Sequence, residues 1–177
     1  RVEQTEGRFI SSEDSNLPAT IFENQNFAGL RSVFQYENVD DLNIPRRGIL
    51  FYSGVDWMAD LPEAEKRFAR LSAEMTMYIS LGNKESVILA SKIGTEHLIG
   101  TFEFFQAARL DGLTNFRGFR ADRFYGRTSF YHQNDLRIKL LTSANGIVPF
   151  SFGVTGGFDH GRVWADDLPS DRWHYSY

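Results

Sequence analysis

Along residues 68–81 the side chains alternate with a period of two. Ala69, Leu71, Ala73, Met75, Met77, Ile79 and Leu81 form one set; Phe68, Arg70, Ser72, Glu74, Thr76, Tyr78 and Ser80 form the other. Successive side chains of an extended chain point to opposite faces, so this segment builds a strand with one apolar and one polar face. A helix would scatter both sets around its circumference. Length constrains the fold further. Globular strands average about five or six residues, whereas a tilted strand crossing a bilayer needs about 9–11.

The pattern recurs at 130–141, where Leu136, Ile138 and Leu140 oppose Tyr131, Gln133, Asp135, Arg137 and Lys139. It is less regular at 27–38, where Leu30, Phe34 and Tyr36 oppose Arg31, Gln35 and Glu37. Segments 48–59, 86–99 and 150–164 are rich in β-formers and bounded by Gly, Pro, Asn or Asp. The aromatic content, 15% with 16 Phe, points the same way. These segments predict an all-β chain of about six strands, with another beginning at 173–177, joined as an antiparallel up-and-down meander. The strand lengths suit part of a transmembrane β-barrel. Periodicity alone leaves open a soluble barrel or sandwich whose apolar faces turn inward, such as a calycin-like carrier of an apolar ligand.

The connections separate into two kinds. Short turns are expected near 39–47, 82–86 and 142–149, containing Pro45-Arg46-Arg47-Gly48, Gly82-Asn83 and Asn145-Gly146. In a meander these three lie at one end. The other end takes 60–67, 165–172 and the long stretch 101–128. Short turns at one rim and longer loops at the other is how outer-membrane barrels are built. A connection as long as 101–128 in a compact domain is usually functional.

That stretch contains Asn115-Phe116-Arg117-Gly118-Phe119-Arg120; the next strand holds Asn134-Asp135-Leu136-Arg137, and the one after it Gly157-Phe158-Asp159-His160-Gly161-Arg162-Val163-Trp164. In this order and spacing the segments resemble the outer-membrane protein assembly-factor, or bacterial surface antigen, superfamily (BamA/TamA-like C-terminal β-barrels). Phe116–Phe119 is similar to its Val-Arg-Gly-Phe loop motif, with Phe in first place. Asn134–Arg137 is similar to its Glu-Leu-Arg strand, with Asp135 for Glu. The segment from Asp159 to Trp164 is similar to its Phe-x-Asp-x-Gly strand. Residues 36–48 are similar to its Asp-rich turn ending in Pro-x-x-Gly.

The resemblance implies a bacterial outer-membrane location and a role in inserting or translocating outer-membrane or exported polypeptides. The lipid bilayer and unfolded clients would be the partners. It also implies that loop 101–128 folds into the barrel lumen, with Arg117 meeting Asp135 and Asp159. Gly118 would then permit a tight bend, and Gly157 and Gly161 would leave room beside the wall. On residue chemistry alone Arg117 reads as a solvated loop residue; the strand motifs favour the lumenal anchor. Met75, Met77, Ile79, Leu136, Ile138 and Leu140 are then expected to face lipid. The parent protein could equally be one whose barrel anchors a fused hydrolase domain.

Residues 1–177 are expected to form one domain, the C-terminal part of such a barrel, truncated before its last strands. Open strand edges and an apolar band both seek cover, so the isolated piece is expected either to curl until its apolar faces pack together or to self-associate with a second copy. A net charge of −4 gives no basic footprint for nucleic acid. Cysteine is absent, which excludes disulfides and thiolate metal sites. His97, His132, His160 and His174 are not spaced as a helical metal pair, and Asp159 and His160, as strand neighbours, point to opposite faces. No Gly-x-Ser-x-Gly elbow occurs. No catalytic residues, metal or cofactor are therefore expected.

Overall fold

A computed structural model describes residues 26–61, 67–82, 86–112, 114–120, 123–143, 148–165 and 172–177. Six long strands follow the alternating segments: β1 (Phe27–Val39), β2 (Gly48–Asp60), β3 (Arg67–Leu81), β4 (Val87–Gly100), β7 (Thr128–Ser143) and β8 (Phe150–Trp164). The short β9 (His174–Ser176) closes the series, and β5 (Ala108–Leu110) and β6 (Phe124–Gly126) form a small separate hairpin.

The main sheet has the order β1-β2-β3-β4-β7-β8-β9, antiparallel throughout. Every neighbour in it is the next long strand along the chain, which makes it the meander expected from the sequence. The sheet is open: among the described residues β1 and β9 do not pair with each other. A strand of 13 residues such as β1 extends about 40 Å at roughly 3.3 Å per residue. That is enough to cross a ~25 Å apolar band at a tilt of about 40°.

Cross-strand register keeps each alternating set on one side. Leu71 lies opposite Val55 and His97, and Met75 opposite Phe51 and Ile93, so the apolar sets of β2, β3 and β4 share a face. Arg70, Glu74 and Thr76 share the other face with Leu98, Gly94 and Lys92. On the first face large apolar side chains stand exposed, including Leu30, Phe34, Trp57, Leu71, Ile79 and Leu136. Described residues of the connection between β4 and β7 lie against the second face at the long-loop ends of β3, β4, β7 and β8, while the inward side of β1 stays exposed. This is the reverse of a carrier that encloses an apolar ligand.

The two buried apolar clusters lie between the loop and the polar face rather than between two sheets. Leu110, Phe116, Tyr131 and Val163 form one cluster, with Phe119 and Phe124 packed against it. Phe68, Leu98 and Ala108 form a second, flanked by Phe27, Met58 and Phe102. The turn of 40–47 is held by Asp40, whose carboxylate accepts the backbone N–H of Arg46 (2.8 Å) and Arg47 (3.1 Å). Asp41 accepts those of Asn43 (2.7 Å) and Ile44 (3.1 Å). Asn83, Asn145 and Gly146, expected in the other two turns, lie outside the described residues.

Candidate functional site

The long connection has structure of its own that periodicity did not predict. It leaves β4 through Gly100, makes a 3-10 turn at Phe104–Gln106 and enters β5. Its hairpin pairs Ala108 with Gly126 and Leu110 with Phe124. Between the two strands Asp111 organises the tip. Its carboxylate accepts the Thr114 N–H (3.1 Å), its carbonyl accepts the Phe116 N–H (2.9 Å), and its own N–H donates to Asn115 Oδ1 (3.0 Å). This closed turn drives the Phe116 ring into the wall, where it is 1% exposed. Phe116 stacks on Phe119 with ring centres 5.0 Å apart.

With Phe116 seated, the next side chain reaches β7 and β8. Arg117 Nε donates to Asp159 Oδ2 at 2.8 Å, Nη2 donates to Asp159 Oδ1, and Nη1 donates to Asp135 Oδ1 at 2.5 Å. The Arg117 backbone N–H also donates to Asp159 Oδ2, at 3.3 Å. One guanidinium thus spans two carboxylates on adjacent strands, using the planar fork that lysine lacks. Asp159 is 1% exposed, so its charge depends on these donors. The hydrogen bonds to Asp159, followed by that to Asp135, push the Arg117 pKa further up against an opposing effect of burial.

The glycines fit this geometry. Gly118 has φ +80°, a left-handed conformation that lets the chain turn away directly after Arg117. A Cβ at Gly157 would sit 2.8 Å from Asp135 Oδ1 and 2.9 Å from Arg117 Nη2. At Gly161 it would sit 2.9 Å from Leu110 Cδ1 and 3.3 Å from Phe116 Cε2. The structure therefore brings Phe116, Arg117, Gly118, Phe119, Asp135, Gly157, Asp159 and Gly161 into one contact region.

A second seam lies beside it. Arg70 on β3 donates to the Gln106 carbonyl at 2.6 Å, and Arg127 Nη1 donates to the carbonyls of Leu98 and Gly100, each at 3.2 Å. The Glu96 carboxylate takes the backbone N–H of Arg109. Deeper on the same face, the Tyr131 hydroxyl donates to Glu74 Oε2, which also pairs with Lys92 Nζ at 2.9 Å. Sequence reading placed Arg70, Glu74 and Tyr131 on polar faces without linking them to partners. The Arg70–Gln106 contact spans 36 residues, which no local pattern encodes. Asp159 faces the loop while His160 lies on the opposite side, and no three His, Asp or Glu among the described residues form a group that would hold a metal ion.

The sequence profile of the Omp85 superfamily domain matches residues 18–176. Among solved structures the chain is similar to BamA from Haemophilus ducreyi lacking POTRA domains 1–3, with a TM-score of 0.64 and 15% sequence identity. That likeness covers 77% of this chain but only 30% of the BamA chain, and at this identity it speaks for the fold alone. A search of curated proteins gives no match. The profile spans nearly the whole chain and agrees with the seven-stranded meander, so the chain belongs to the Omp85 superfamily of bacterial outer-membrane β-barrels, which act in protein insertion and translocation.

Proposed function

We propose that this chain forms part of the wall and the internal loop of a barrel that inserts or translocates unfolded outer-membrane or exported polypeptides. Loop 101–127 lies in the lumen, and Arg117 latches it to the wall through Asp159 and Asp135. The barrel does no covalent chemistry; its work is to hold a polar interior beside an apolar exterior so that a client chain can pass between them. The observation that carries this reading is the Arg117 fork on the buried Asp159, with Phe116 sealed beneath it. Breaking a buried pair from one side strands a carboxylate at a cost of about 3 kcal/mol or more.

The test is Arg117→Ala in the full-length protein, with the exposed Arg120→Ala as control. The readout is the amount of folded or exported client at equal levels of the barrel. Arg117→Ala should reduce it severalfold and Arg120→Ala should leave it unchanged. Equal effects of the two would refute the latch.

A further inference from the structure

The wall grips the loop a second time, at its entry, and by its backbone. Gln106 closes the 3-10 turn on itself. Its N–H donates to the Glu103 carbonyl at 2.9 Å, and its Oε1 accepts the Glu103 N–H at 2.8 Å. The Gln106 carbonyl is left to Arg70, whose Nη2 donates to it at 2.6 Å. Three residues further on, the Arg109 N–H donates to the Glu96 carboxylate. Arg70 on β3 and Glu96 on β4 both belong to the inward set. One supplies a donor and the other an acceptor, so the pair holds residues 106–109 by main-chain groups.

Between these two contacts stand Ala107 and Ala108, both buried. Ala108 packs with Phe68 and Leu98. A larger side chain there would overpack the cluster and lift the backbone from the wall. The register shows that Arg70 serves the loop rather than the sheet. Asp56 lies directly opposite it on β2, yet both Asp56 oxygens take hydrogen bonds from Arg31, at 2.6 and 3.0 Å. What is fixed at residues 106–109 is passed on. Leu110 follows directly and is buried in one cluster with Phe116. The Asp111 carbonyl then accepts the N–H groups of both Asn115 and Phe116. A displacement at Gln106 is therefore carried through β5 and the Asp111 turn to Arg117, and a fork on two carboxylates tolerates little displacement.

We propose that Arg70, acting with Glu96 through the backbone of residues 106–109, positions Arg117 for its contacts with Asp159 and Asp135. The inference rests on the latch reading of the loop. Arg70 is a positioning residue that acts through Gln106.

The test places 4-fluorophenylalanine at Phe119 in the full-length barrel and follows fluorine NMR together with client output. Phe119 stacks on Phe116 and meets Phe124 edge-on at 5.2 Å, so ring currents make its shift a report of the seated tip. A substitution that only lowers overall stability leaves the shift of the folded barrel unchanged. Arg70→Met keeps the bulk and removes the donors. It should raise the population of a displaced resonance about tenfold, as expected for one lost charge-assisted hydrogen bond, and client output should fall with it. Arg70→Lys keeps a charged donor and should restore both readouts in part. Arg120→Met, at an exposed position, should match the wild type. A wild-type resonance in Arg70→Met would overturn the proposal, as would an Arg70→Lys no better than Arg70→Met. So would a displaced resonance in Arg70→Met without loss of output, where Arg117→Ala does lose output. If Arg117→Ala displaces the resonance and leaves output intact, the latch reading fails while the placement of Arg117 by Arg70 stands. If Arg70→Met does not fold, Ala108→Leu decides, because it lifts the same backbone from the loop side with the wall intact. An undisplaced resonance there would overturn the proposal.

Discussion

The Tyr131 hydroxyl reaches Glu74 two strands away by lying across the face of Gly94. Glu74, Gly94 and Tyr131 occupy one cross-strand row on β3, β4 and β7. The glycine is what makes the row possible, because a methyl there would fall inside the Tyr131 ring. Gly94→Ala should therefore displace the ring and destabilise the barrel by about 1–3 kcal/mol. Tyr131→Phe should cost only about 1 kcal/mol, since Glu74 keeps Lys92 at 2.9 Å. Unfolding in guanidinium, followed by intrinsic fluorescence, would check the order. A milder effect for Gly94→Ala than for Tyr131→Phe would contradict it.

The latch makes a geometric prediction separate from client handling. Arg117→Lys keeps the charge but cannot contact both oxygens of Asp159 and Asp135 together. Gly157→Ala leaves Arg117 intact but drives a methyl against its Nη atoms and Asp135. Both substitutions should raise protease cleavage within loop 101–127 in the full-length barrel, with Arg117→Lys giving roughly a tenfold rise if about 1.4 kcal/mol of seating is lost. Wild-type cleavage rates in both variants would show that Phe116 and the hairpin hold the loop unaided.

Much of this architecture was legible because strand faces are written locally. Alternation at 68–81 and 130–141 fixed which side of each strand is polar, and register carried that assignment across the sheet. The candidate site was legible for a different reason. Arg117, Asp135 and Asp159 lie in short segments that can be compared one by one, and resemblance linked them where periodicity could not. The β5–β6 hairpin stayed hidden because three-residue strands hold too few residues to show a period. Arg70, Glu74 and Tyr131 were placed on a face but left without partners. Their contacts depend on how a loop settles over the sheet, which only the folded chain determines.

The two faces make opposite demands on charge. Met75 and Leu136 lie near the middle of β3 and β7 on the outward side, opposite Phe51 and Leu89. Met75→Arg and Leu136→Arg should each cost roughly 2–4 kcal/mol at the bilayer midplane. Thr155, on the inward set of β8 opposite Arg137, should accept Gln with little change. Equilibrium unfolding from lipid vesicles would measure all three. A Thr155→Gln loss as large as that of Met75→Arg would reverse the assignment of the faces.

Acid should loosen the turn at 40–47 only below the pH at which a free aspartate protonates. Asp40 is held below the usual carboxylate range by the N–H groups of Arg46 and Arg47 in turn, with a smaller contribution from the Arg46 charge. Asp41 is lowered likewise by the N–H groups of Ile44 and Asn43. A depressed carboxylate pKa contributes stability that is present above the unfolded value, ~3.9 for aspartate, and lost as pH falls through the folded value. The Arg46 and Arg47 amide protons should therefore titrate with a midpoint below that of a free aspartate when followed by NMR. Asp40→Asn keeps an acceptor oxygen but cannot ionise, so the amide shifts should become independent of pH in that range. Asp40→Ala removes the acceptor, and both amides should exchange faster at neutral pH. If Asp40→Asn left the titration unchanged, the neighbouring Asp41 would be its source and the assigned hydrogen bonds would be wrong.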